Sequence, residues 1–347
     1  MTSPPLLDDL RAAATAAGLV GLGVAAIETF DDTRAILESR KAEGLHGGMA
    51  FTYRDPARST DPARLLSGAR SLVVGALSYA AGELTSPSFP GPAGRVARYA
   101  IADHYGALRS ALESVAVILE DAGFRTRVVL DDNALVDRAA AQRAGLGWFG
   151  HNANLLIPGH GSWVVLGSIV TDAELTPAEP VPDGCGPCRR CLDGCPTGAI
   201  IAPGVVDARR CLAWLVQAEG SFPMDYREAL GDRIYGCDDC QEVCPPARRS
   251  PAGRSPIDDA DAWVSLSWML RASDEQLLSE LGRWYIPRRD PRYLRRNALL
   301  AIGNSADPAD MDLRGTLRHY VDGDDELLRE HAQWALQRLD ERARVPS

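Results

Sequence analysis

Every cysteine of this 347-residue chain lies between residues 185 and 244, and their spacing restricts the chain more than any other feature. Cys185, Cys188, Cys191 and Cys195 form C-x2-C-x2-C-x3-C, with Pro196 next. Cys237, Cys240 and Cys244, followed by Pro245, repeat the end of that pattern, and Cys211 stands upstream in place of its first member. Three thiolates at such gaps reach three irons of one cube, while the fourth, set off by a proline turn, ligates the neighbouring cube. Reciprocity predicts two [4Fe–4S] clusters. One takes Cys185, Cys188, Cys191 and Cys244; the other takes Cys195, Cys211, Cys237 and Cys240. Together they make a short wire for electrons. Zinc also accepts C-x-x-C pairs, but zinc ribbons separate their pairs and do not call for three cysteines in tandem or Cys-Pro twice.

The rest of the composition is that of a folded protein, 46% apolar and 24% charged. The first twenty residues have no basic start and no long apolar run, and they carry Asp8 and Asp9. The expected location is the cytoplasm, without a membrane segment, where reducing conditions favour thiols as metal ligands over disulfides. A net charge of −10 advertises no nucleic-acid partner, although local basic patches decide that question.

Along the first half, helical and strand-like patterns alternate. Residues 6–16, 33–42, 104–121 and 134–143 have helical patterns; residues 20–26, 71–77, 127–130, 155–157 and 163–171 read as strands. Residues 83–94 form a Gly/Pro/Ser-rich loop. The expected fold class is α+β in three successive domains: an α/β domain over 1–176, a ferredoxin-like two-cluster domain over 177–250, and a helical domain over 257–347. Residues 297–302 and 327–339 are the clearest helical segments of the last, which reads as short antiparallel helix pairs.

A two-cluster wire needs a redox centre to feed. There is no P-loop and no C-x-x-C-H haem site. Gly145, Gly147 and Gly150 satisfy G-x-G-x-x-G, but after a helical pattern instead of a strand, the wrong order for a dinucleotide fingerprint.

The surrounding stretch, LDDNALVDRAAAQRAGLGWFGHNANLLI over 130–157 with GSW at 161–163, resembles the epoxyqueuosine reductase family. RYA at 98–100, YGCDDCQEVCP at 235–245 and RRNALLAIGN at 295–304 fit the same family, in order along nearly the whole chain. The resemblance implies an oxidoreductase of the last step of queuosine synthesis, acting at the wobble position of tRNA. It implies a nitroreductase-like first domain that binds cobalamin, with cobalt reduced through the clusters, and HEAT-like repeats at the C-terminus. It further implies an external electron donor such as ferredoxin or flavodoxin, and a monomer bound to the tRNA anticodon arm. No D-x-H-x-x-G surrounds any of the six histidines, so a histidine ligand to cobalt of the usual kind is not offered.

Residue by residue, the resemblance places a general acid at Asp131, which protonates the departing epoxide oxygen. Asp131 or Asp132 equally suits a helix N-cap. Arg54, Asn152 and Trp163 match cofactor contacts, and Arg138 a contact to substrate or tRNA. Arg288, Arg289, Arg292, Arg295 and Arg296, in a segment where only Asp290 opposes them, give an anticodon-arm surface or else a solvated helix face. Arg248, Arg249 and Arg254 form a second basic cluster. The chain departs from the family's usual residues at Asp103-His104-Tyr105, Ala134, His151, Val216-Gln217-Ala218 and Pro246-Ala247. A corrinoid reductive dehalogenase shares the cofactor set, and a two-cluster electron carrier would use the same cysteines without chemistry of its own.

Overall fold

The computed structural model describes residues 4–80, 87, 89–250 and 262–344. The chain packs into two compact units, each drawn from three separate stretches. The first comprises Met1–Gly82, Asp103–Arg209 and Asp239–Pro256; the second comprises Glu83–Ala102, Arg210–Asp238 and Ile257–Ser347. Arg254 and part of the 83–94 loop lie outside the described residues.

At the centre of the first unit is a four-stranded sheet in the order Gly21–Ala26, Ser71–Ser78, Val164–Thr171, Thr126–Val129, with every neighbouring pair antiparallel. Ser71–Ser78 and Val164–Thr171 are buried along almost their whole length, which explains why they read as apolar runs with no polar alternation. Alternate residues face opposite layers. Gly75 and Gly167, paired across the two strands, lie under the helix His104–Asp121, where an added Cβ would stand 2.8 and 2.7 Å from Leu112. Leu72, Val74 and Ala76 pack in a core with Ala139, Ala140 and Ala141 of the helix Asp137–Arg143. Those alanines bring that helix close, and a Cβ on Gly23 would meet the Ala144 carbonyl oxygen at 2.0 Å. The turn at 130–136, between the edge strand Thr126–Val129 and this helix, is thereby fixed at both ends.

The second unit has a three-stranded sheet in which Ala93–Val96 is flanked by Arg233–Tyr235, parallel to it, and Trp263–Ser265, antiparallel. Its longer helices include Arg292–Ser305, Met311–Val321 and Glu326–Arg344; the segments 297–302 and 327–339 fall inside them. Tyr235 stacks on Trp284 with ring centroids 4.5 Å apart. Arg296 is fully buried, contrary to its expected place on a basic surface. Its guanidinium donates to the carbonyls of Leu215, Val216, Ala218 and Gly220 and to Asn297 Oδ1. Asn297 Nδ2 adds bonds to the carbonyls of Val216 and Ile234. Two side chains of one helix thus hold the irregular stretch after Cys211, whose carbonyls no regular structure satisfies.

His331 is fully buried, and its Nε2 accepts the Phe222 N–H at 3.1 Å while Nδ1 lies 2.7 Å from the Leu327 carbonyl. One acceptor and one donor suit the neutral ring. Burial, followed by Arg227, pushes its pKa down to about 4 from 6.5. A folded-state value below the unfolded one gives stability that is present above pH 6.5 and lost as pH falls toward 4. Denaturant midpoints for the second unit are therefore expected to drop across that window, and less steeply in His331→Gln. An identical pH slope in the variant would count against the assignment.

Candidate functional site

The 130–136 turn presents two adjacent carboxylates for different work. Asp131 has φ +49°, a left-handed conformation that aspartate tolerates better than most residues. Asp132 Oδ1 accepts the Ala134 N–H at 2.9 Å and so makes the turn. The Asn133 carbonyl is held by Ser59 Oγ at 2.7 Å. The helix begins at Asp137, after Val136 with no side-chain cap, so neither Asp131 nor Asp132 is an N-cap. Asp131 is left exposed with its carboxyl uncommitted to the fold; partial desolvation and the Asp132 charge beside it raise its pKa.

Asp137, which sequence reasoning missed, is the next titratable group. Burial, and then the charge of Asp131, raise its pKa well above the usual carboxylate range, with Arg138 opposing and Asp132 adding. Its Oδ1 is buried without a hydrogen-bond partner. The only signal in sequence was its position six residues after Asp131, which says nothing of burial. Arg138 is exposed and donates to the Ala153 carbonyl at 3.0 Å.

The glycine run has a packing role. Gly145 has φ +69°, and a Cβ on Gly147 would lie 2.0 Å from the Leu156 carbonyl oxygen, where strands Trp148–Phe149 and Leu155–Leu156 pair. The loop between them carries Asn152, which is buried; its Oδ1 accepts the Asn154 N–H at 3.2 Å while Nδ2 has no partner. Asn133 Oδ1 and Trp148 Nε1 are likewise buried and unpartnered. Buried donors and acceptors left open within residues 133–152 suit a bound group that carries both. Trp163 is buried, edge-on to Tyr79, and donates from Nε1 to the Ala247 carbonyl at 3.0 Å. Arg54 is exposed.

That indole bond ties the sheet to the residues just after Cys244. Gly161, at φ +62°, brings its backbone within van der Waals contact of Ala247, where a Cβ would meet Cα at 2.4 Å. His151 Nδ1 sits 2.8 Å from the Cys188 carbonyl, and Gln241 Nε2 donates to Tyr79 Oη and to the Ser162 carbonyl. The first predicted set of thiols comes together inside this frame. Burial, and then Cys244, push the Cys191 thiol up to about 11, with Cys185 and Cys188 adding; Cys244 is raised by burial and by the same two. Four thiols that disfavour one another's charge are a donor set that a cationic cluster relieves. The donors fit a four-iron cube. Of the second set, Cys195 and Cys240 belong to the first unit, and Cys211 and Cys237 to the second. The Ala199 N–H donates to Cys195 Sγ at 3.2 Å. Among the described residues, no three His, Cys, Asp or Glu side chains converge as ligands of a single metal ion.

In the second unit, Arg288, Arg289 and Arg292 are exposed while Arg295 is largely covered, and three of the acidic partners of these arginines lie far from them in sequence. Arg288 pairs with Glu219, Arg292 with Asp290 and Asp325, and Arg295 with Asp274. Arg289 donates to the Gly282 carbonyl. The exposed pairs of Arg288 and Arg292 are weak and exchange readily for other anions.

Residues 184–247 match the pattern of a 4Fe-4S double cluster binding domain. The epoxyqueuosine reductase of Vibrio cholerae is 32% identical over 98% of this chain and 94% of its own length. That of Xanthomonas campestris pv. campestris is 34% identical over 94% of each.

The chain belongs to the epoxyqueuosine reductase family. A crystal structure of epoxyqueuosine reductase with an epoxyqueuosine-modified tRNA-Tyr stem loop superposes with a TM-score of 0.88 at 30% identity, covering 98% of this chain and 91% of that one. The mixed helix-and-sheet fold and the two-cluster domain are thus those of epoxyqueuosine reductases. Among the described residues no helix is long and apolar enough to cross a membrane.

The cysteine assignment has a direct check. Replacing Cys244 by serine is expected to remove roughly half of the iron and of the brown absorbance from anaerobically prepared protein. A colourless wild type carrying stoichiometric zinc would overturn the cluster reading.

Proposed function

We propose that this chain is an oxidoreductase that converts epoxyqueuosine to queuosine at the wobble position of tRNA. The observation that carries the reading is full-length similarity to epoxyqueuosine reductases, spanning 98% of the chain at 32% identity. An electron carrier alone needs neither the exposed carboxyl of Asp131 nor the open polar groups of residues 133–152.

Electrons enter from an external donor of ferredoxin or flavodoxin type. They pass through two [4Fe–4S] clusters whose ligands, on the spacing of the cysteines, are Cys185, Cys188, Cys191 and Cys244 for one, and Cys195, Cys211, Cys237 and Cys240 for the other. The cofactor is cobalamin, held in the first unit by Asn152 and by contacts from Arg54 and the Trp163 segment. The open Asn152 Nδ2 and Asn133 Oδ1 suit the amide groups around its rim. When bound, cobalamin supplies a strongly reducing, nucleophilic metal centre. Asp131 holds the proton for the departing oxygen, and Arg138 orients the nucleotide. In functional terms the chain divides into a nitroreductase-like cofactor domain over 1–176, a ferredoxin-like domain over 177–250 and a HEAT-like domain over 257–347. The last receives the anticodon arm on Arg288, Arg289, Arg292 and Arg295, phosphates displacing the exposed pairs of Arg288 and Arg292. The enzyme acts in the cytoplasm as a monomer.

Anaerobic incubation of the reconstituted protein with cobalamin, reductant and epoxyqueuosine-containing tRNA tests this. Nucleoside mass spectrometry is expected to read the loss of one oxygen atom. Unchanged nucleoside from fully cluster-loaded protein would rule the function out.

A further inference from the structure

Three of the chain's seven tryptophans, Trp263, Trp268 and Trp284, line one open cavity of about 660 Å³ in the second unit. That volume falls among small-ligand pockets, which span roughly 300–1,000 Å³. Trp284 belongs to the fold: it is buried, stacked on Tyr235, and its Nε1 donates to the Ala100 carbonyl at 3.0 Å. Trp263 and Trp268 are only partly covered, so indole surface remains at the cavity wall.

The helix Asp274–Leu281 supplies a polar rim. Gln276 and Glu280 stand one turn apart on it, both exposed and both lining the cavity. Gln276 Oε1 is committed to the helix cap, where it accepts the Ser273 N–H at 2.8 Å, and this leaves Nε2 as a free donor. Glu280 has no partner among the described residues, and a carboxylate only accepts. One donor beside one carboxylate complements the edge of guanine, whose O6 accepts while N1–H and N2–H₂ donate. Adenine would turn its N1 lone pair toward the carboxylate. Arg283 also lines the cavity, and Arg289 sits next to it, donating to the Gly282 carbonyl at 3.1 Å. Neither has an acidic partner among the described residues, unlike Arg288, Arg292 and Arg295.

We propose that this cavity binds an unpaired guanosine of an RNA strand. The base stacks on Trp263 and Trp268, Gln276 and Glu280 read its edge, and Arg283 and Arg289 take the phosphates beside it. An apolar peptide side chain would use the indoles and leave the rim and both cations idle. The proposal rests on the reductase reading only in choosing an RNA strand over a free nucleotide.

The test is fluorescence anisotropy of a short single-stranded oligouridine with one central guanosine, against its adenosine counterpart, on the full-length, cluster-loaded protein. The guanosine strand is expected to bind about tenfold tighter, and an inosine strand, which lacks the N2 amine, to fall between the two. Glu280→Gln, an exposed change outside the core, is expected to erase the preference. Arg289→Ala should weaken both strands about equally and flatten the salt dependence. Equal affinity for the guanosine and adenosine strands overturns the proposal, as does a preference that survives Glu280→Gln. Guanosine monophosphate bound as tightly as the strand overturns RNA as the source. None of these measurements needs turnover, so they can fail while the reductase reading stands. A guanosine-selective chain that leaves epoxyqueuosine tRNA unchanged would sink that reading and keep the pocket.

Discussion

Replacing Asp131 by asparagine is expected to lower turnover of epoxyqueuosine tRNA by about 10²- to 10⁴-fold, the usual worth of a positioned general acid. The fold should barely register the change. Asp131 is exposed, and it is Asp132, not Asp131, that closes the turn onto the Ala134 N–H. Iron content, cofactor binding and unfolding midpoint should therefore match wild type, which separates a lost proton donor from a lost structure. The reciprocal variant, Asp132→Ala, removes the bond that shapes the turn and should cost stability as well as rate. If Asp131→Asn kept wild-type turnover, the general acid would have to be sought elsewhere.

The second large effect is one of stability. Arg296→Ala strips the second unit of a buried guanidinium that satisfies four backbone carbonyls between residues 215 and 220. The cation sits over the Tyr293 and Phe222 rings, and its desolvation lowers its pKa only to about 10, so it stays charged at neutral pH. Removal leaves the Ala218 and Gly220 carbonyls without their donor, while Val216 keeps Asn297 and Leu215 keeps the Ala218 N–H, and it opens a cavity, an expected loss of about 3–5 kcal/mol. Lysine should not rescue it, because a single ammonium cannot reproduce the fork that spans these carbonyls. Urea unfolding measures the loss, and a change under about 1 kcal/mol would mean that water takes over the carbonyls.

These two residues also mark what could be read from the sequence. The strands 71–77 and 163–171 were legible because their residues are buried on both faces and β-branched. The cysteine frame was legible because metal ligation is local in spacing. Arg296 was misread for a physical reason: six arginines within fourteen residues look like a surface stripe, and nothing local distinguishes the one that turns inward. The carbonyls it serves lie about eighty residues upstream. The acidic partners Glu219, Asp274 and Asp325 were hidden in the same way, and so was the strand Ala93–Val96, four residues at the end of a Gly/Pro-rich loop. Asp131 stood out only through its family motif. Asp137 did not stand out at all, because burial of a carboxyl is a property of packing and leaves no mark in composition.

The composition of the two units has a consequence for how the protein is made. The first unit is completed by Asp239–Pro256, with the Trp163–Ala247 bond and the Gly161 contact closing onto that late stretch. During synthesis the sheet can form early, but on the proposed ligand set Cys185, Cys188 and Cys191 would wait for Cys244 before their cube has a fourth thiolate. Between those events the ribosome has already released the 210–238 stretch that belongs to the other unit. On that ligand set the first cube cannot be completed before residue 244 is made, and a fragment cut at residue 176 or 209 would be a half-built vessel with no means of closing.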